Sequence, residues 1–117
     1  MIHGANYYPQ DFERLTTQAH PLFRDESAAA YAVGDRVTVV VETSVRGDRD
    51  GATEAAAEAV RAITEELPVS TDVVVVPRGQ IPRTTSGKPR RHECGPRHAN
   101  GELTVLARWP RDPGSLS

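Results

Sequence analysis

The chain has 117 residues, with sixteen acidic against fourteen basic side chains and a net charge of −2. That length provides one domain with a modest core and no room for a catalytic domain plus a regulatory one. The charge balance withholds the overall positive field that a general nucleic-acid binder exploits, so local basicity has to be argued locally.

A single cysteine, Cys94, excludes an intrachain disulfide framework, and no apolar run approaches the ~20 residues that span a bilayer. The first residues, "MIHGANYYPQDF", lack the basic start and continuous apolar segment of a secretory signal, so a cytoplasmic protein without a membrane partner is expected.

In chain order, "YYPQDFERLTTQAHP" sets a proline where a first helical turn tolerates it, acids behind it, and Phe12, Leu15 and Ala19 at helical spacing. A short helix ending before Pro21 is predicted. "AAAYAV" and "VTVVVE" are apolar runs of strand length separated by Gly34, Asp35 and Arg36, which predicts an antiparallel hairpin whose second strand is buried on both sides. After the polar loop "SVRGDRDGA", residues Ala55, Ala56, Ala59, Val60, Ile63 and Leu67 share one helical face, with Pro68 as the stop. "DVVVV" supplies a third strand.

From Pro77 to Pro96 the chain turns to prolines, glycines, basic residues and hydroxyls, a composition that predicts a surface connection with little core. "ELTVLARW" returns to alternation and predicts a strand or short helix, with Trp109 as a packing anchor. "PRDPGSLS" reads as a frayed tail. The fold expected is α+β, a sheet of three or more mainly antiparallel strands with flanking helices, in one subdomain over residues 1–109 and a flexible tail over 110–117.

The stretch "RTTSGKPRR", residues 83–91, concentrates positive charge around Gly87. A Walker loop needs glycine at position 82 and a hydroxyl residue at 89, and this chain has Pro82 and Pro89, so that reading is rejected. Nucleic-acid binding by Arg83, Lys88, Arg90 and Arg91 lacks aromatic residues to stack on bases. A solvated basic loop is the bland alternative.

Two segments together carry a family resemblance: "GANYYPQDFE", residues 4–13, and "VPRGQIPRTTSGKPRR", residues 76–91. They resemble the carboxy-terminal subdomain of adenylate-forming ligases, and within that superfamily the fatty acyl-AMP ligases. Asn6, Tyr8, Pro9, Gln10, Asp11 and Glu13 match the first motif; Ile81, Pro82, Arg83, Thr84, Thr85, Ser86, Gly87 and Lys88 match the second. The resemblance implies that a large amino-terminal domain, in cis or in trans, holds ATP and Mg2+, with neither bound tightly by this chain. It implies that Lys88 enters that site as the catalytic residue of acyl-adenylate formation, with Ser86 and Gly87 beside the nucleotide and Gly4 near the thiol tunnel. The acceptor implied is a carrier-protein or coenzyme A thiol, which makes an acyl carrier protein an expected partner.

Three positions depart from the pattern: Pro89 stands where relatives carry an aliphatic residue, and His3 and Ala5 stand where they often carry arginines. Nothing in the sequence resembles the family's ATP loop or hinge acid, so the chain is expected to be inactive alone. A non-catalytic module that docks a ligase or carrier protein is the alternative. The spacing of His92, Cys94 and His98 is a poor zinc signal, because a stable site normally takes four ligands and no fourth is evident. Glu65 and Glu66 read as a solvated helical face, while Tyr7 and Tyr8 are candidates for an interface or for the core.

Overall fold

The computed structural model describes residues 8–34, 36–43, 49–67 and 69–110. Gly4, Asn6, Tyr7, His3, Ala5, Asp35, Pro68, the Arg91 side chain and residues 111–117 lie outside the described residues, and so do the expectations attached to them.

Helix α1 runs Pro9–Ala19, with Pro9 in its first turn and Asp11 behind it, and buries Phe12, Leu15 and Thr16. The Thr16 hydroxyl donates to the Phe12 carbonyl at 2.8 Å, so a polar residue enters the core without an open donor. Glu13 on the same helix receives the backbone N–H of Ala30 at 2.9 Å and fastens α1 to the sheet. Strands β1 (Phe23–Val33) and β2 (Arg36–Thr43) pair antiparallel from Ala28↔Val41 to Val33↔Arg36, joined through Gly34 and Asp35. Every residue of β2 from Val37 to Thr43 is buried, as its valine-rich run predicts.

Helix α2 spans Arg49–Glu66 and lays Ala52, Ala55, Ala56, Ala59 and Ile63 against the sheet, with Val60 and Leu67 partly buried at the margin. Strand β3 (Thr71–Val76) then pairs parallel with β2, from Val37↔Thr71 to Glu42↔Val76. A helix of this length carries the chain back to the end of the sheet where β2 began, which makes the next strand parallel. The sheet is therefore mixed, two antiparallel pairings and one parallel. Strand β4 (Ala107–Trp109) closes it against β3, giving the order β1-β2-β3-β4, and Trp109 packs on the core margin as expected.

The expectation for residues 77–96 needs correction. This segment builds a second layer: helix α3 occupies Arg91–Ala99, and Ile81, Cys94 and Leu103 are buried against Ala29, Val40, Val74 and Val76. Proline and glycine argue against a helix here by propensity alone. Tertiary contact overrides them, since a side chain at Gly95 would place its Cβ 3.2 Å from the Tyr31 ring. Glycine lets α3 lie on that ring, and three well-spaced apolar residues suffice to cover a valine face. Among the described residues no helix is long and apolar enough to cross a membrane.

Candidate catalytic loop

Residues 82–90 form a small closed loop at the edge of this second layer. The Arg90 N–H donates to the Pro82 carbonyl at 2.8 Å, the Thr84 N–H to the Lys88 carbonyl at 2.9 Å, and Arg83 bridges to Pro89 in antiparallel fashion. A tight turn closes the tip, with the Gly87 N–H donating to the Thr84 carbonyl at 2.9 Å. Gly87 has φ +86°, a left-handed backbone in which a residue with a Cβ is strained, so glycine is demanded by the turn itself.

The hydroxyls add to this framework. The oxygens of Thr84 and Ser86 lie 3.0 Å apart, and Thr84 Oγ1 accepts the backbone N–H of Lys88 at 3.2 Å. Thr85 is exposed. The basic side chains have separate roles. Arg83 donates to the Gly87 carbonyl at 3.0 Å, while Arg90 donates to the Arg83 carbonyl at 3.2 Å and to Glu93 at 3.0 Å. Lys88 is exposed, and among the described residues nothing engages its ammonium group. The loop thus uses guanidinium groups as scaffold and presents one amine outward.

Its base rests on a residue that sequence reasoning missed. Glu42, near the end of β2, has a side chain only 6% exposed. Its Oε2 accepts the backbone N–H groups of Gly79 at 2.8 Å and Ile81 at 3.1 Å, and its Oε1 pairs with Arg83 Nη2 at 2.5 Å. The available signal was a lone acid closing the run "VTVVVE", which needs a partner if that strand is buried on both faces.

A second polar cluster lies away from this loop. Asp72 is buried beneath Arg108 at 2.8 Å, Arg36 at 3.5 Å and the Thr38 hydroxyl at 3.2 Å. Beside it the Tyr31 hydroxyl meets His98 Nδ1 at 2.5 Å. Burial raises the Tyr31 phenol well above its usual value and lowers the His98 imidazole, favouring a neutral pair in which the phenol donates. These residues line a groove of about 760 Å3 between α3 and the sheet, and Lys88 is not among them. Cys94 is buried, its thiol pushed up to about 11 first by burial and then by Glu42, which marks a packing residue rather than a nucleophile. His92 is exposed while His98 is engaged by Tyr31, so the three residues H-x-C-x-x-x-H serve different surroundings.

Comparison with known proteins identifies the fold and the family. Residues 1–108 match the family described as Disco-interacting protein 2-like, AMP domain. The medium-chain fatty acid acyl-carrier-protein ligase JamA of Moorena producens is 36% identical over 110 residues, covering 88% of this chain and 18% of the relative. The long-chain fatty acid AMP ligase FadD28 of Mycobacterium tuberculosis is 36% identical over 116 residues, covering 91% of this chain and 20% of that one. A solved structure from work on fatty acyl-adenylate ligases of E. coli and L. pneumophila superposes with a TM-score of 0.74 at 26% identity, over 87% of this chain and 18% of the other. The chain spans about a fifth of the length of the curated relatives it matches. Fold, motif order and these matches together place the chain in the Disco-interacting protein 2-like AMP-domain family of the adenylate-forming superfamily, where it corresponds to the carboxy-terminal region.

Proposed function

We propose that the chain serves as the mobile small subdomain of a fatty acyl-AMP ligase and delivers Lys88 to the adenylation site of a large domain. The observation that carries this reading is an exposed, unengaged lysine on a loop whose arginines, Thr84 and Ser86 are committed to holding its shape. The donor offered, an unengaged ammonium, suits phosphoryl oxygens. On this reading ATP and Mg2+ are held by the large domain.

In the first half-reaction a fatty acid carboxylate attacks the α-phosphorus of ATP and pyrophosphate departs. Two anions must approach, and charge grows on the phosphoryl oxygens. A lysine supplies up to three hydrogen bonds and a compact positive charge where that charge develops. In the second half-reaction a thiolate displaces AMP from the acyl group, and the lysine must withdraw first, which is the use of a subdomain that swings. JamA is named for transfer to an acyl carrier protein, which favours a carrier-protein thiol as the acceptor here.

The test titrates this chain into the matching large domain lacking its own small subdomain and follows pyrophosphate release. Lys88→Ala is expected to depress adenylation by about 100- to 1,000-fold while thioester formation from supplied acyl-adenylate changes little. An equal loss in both half-reactions would assign Lys88 to folding or docking. Tight binding of the unaltered chain with no gain in pyrophosphate release would favour a docking module.

A further inference from the structure

A carboxylate as buried as Glu42 is costly to leave without partners, and its partners here all belong to one element, the root of the lysine loop. Oε2 receives two backbone amides of the connection that leads into the loop, at Gly79 and Ile81, and Oε1 receives Arg83. Arg83 is planar and forked: Nη2 faces Glu42 while Nη1 reaches the carbonyl of Gly87, the residue immediately before Lys88, at 3.0 Å. The carbonyl of Arg83 in turn receives Arg90 from the far side of the loop at 3.2 Å. A single guanidinium therefore connects the rigid end of β2 to the backbone that carries the lysine.

We propose that Glu42, acting through Arg83, is the positioning residue for Lys88 in acyl-adenylate formation. The inference rests on the reading of Lys88 given above. A lysine that enters and leaves its site once per turnover must arrive in the same orientation each time, yet its loop is exposed and has no core of its own. Anchoring to a buried acid in the sheet makes loop and subdomain move as one body, so that the orientation of the ammonium is set before closure rather than searched for afterwards.

Glu42→Gln tests this with little change of shape. The amide oxygen can still accept Gly79 and Ile81, but the –NH2 group then faces the Arg83 guanidinium, donor against donor. Arg83→Met removes the same link from the other side. In the ligase reconstituted with the large domain, each is expected to lower kcat for adenylation by about 10- to 100-fold, with KM for ATP and the thioester half-reaction near their original values. The double variant should lose no more than the worse single one. In the 117-residue chain, amide exchange at Thr84 and Arg90 should quicken in both variants, because those N–H groups close the loop. Lys88→Ala, run alongside, separates the failures. If it leaves adenylation intact, the reading of Lys88 falls and takes this inference with it. If it abolishes adenylation while Glu42→Gln and Arg83→Met leave rate and exchange unchanged, or lower both half-reactions together, the positioning role is overturned.

Discussion

The two faces of the sheet are built by different means. The face under α1 and α2 is a volume-filling core: Phe12, Leu15, Val37, Val39, Val41, Ile63, Val73 and Val75 with four close alanines of α2. The face under residues 77–103 has only Ile81, Cys94 and Leu103 to offer its valines, and the rest of its cohesion is directional, through Glu42, Asp72, Arg83 and the Tyr31–His98 pair. Apolar packing tolerates small displacements. Charge-assisted hydrogen bonds fix distance and angle, which is what a lysine loop poor in apolar residues requires.

The largest effect on stability is therefore expected on the first face. Ile63 is fully buried in the last turn of α2 and belongs to its packed face. Ile63→Ala should cost about 2–5 kcal/mol through lost burial and the cavity left behind, read as a lower urea midpoint at unchanged slope. If the two faces are built separately, amide exchange at Thr84 and Arg90 should remain governed by local opening of the loop. Acceleration of those amides beyond the change in global stability would show that the loop depends on the helical face after all.

Gly87→Ala sharpens the comparison from the other side at smaller cost. No heavy atom lies within 4 Å of the Cβ it would add, so the penalty comes from the left-handed backbone alone, about 1–2 kcal/mol. Because the loop adds little apolar burial, the penalty should appear as faster exchange at Thr84 and Arg90, with the unfolding midpoint nearly unmoved. A midpoint shift as large as that of Ile63→Ala would mean that the loop is integral to the cooperative core.

The same contrast explains what was legible from the residues alone. Apolar patterning reports volume-filling faces well: α1 and α2 follow from apolar spacing of three to four residues, and the hairpin and β3 from continuous apolar runs of strand length. The lysine loop was legible as a motif. Helix α3 was not, because Gly95 and Pro96 oppose it locally and its reason for existing is a ring contributed from β1, far earlier in the chain. Glu42 and Arg83 are 41 positions apart, and no local pattern reports such a pair. The parallel pairing of β2 with β3 was implicit in the strand–helix–strand order, although expected only as part of a mainly antiparallel sheet.

The smallest expected effect is confined to the polar face and to a window of pH. His98 is half-buried and its imidazole is held below the usual value near 6.5, first by burial and next by Arg108, with Asp72 opposing. The unfolded chain therefore takes up a proton at a pH where the folded chain still resists it. The stabilisation is fully present above the ordinary histidine value and is lost as the pH falls through the lower folded value. Urea midpoints measured between about pH 8 and pH 5.5 should decline, and His98→Gln should decline less steeply over the same interval, while losing some stability at the upper end where its bond to Tyr31 is gone. Tyr31→Phe should keep most of the pH slope, since burial rather than the phenol is the leading cause of the shift. Parallel slopes for the unaltered chain and His98→Gln would remove His98 from the account, and the hydrogen-bonded face would then owe its pH response to other groups.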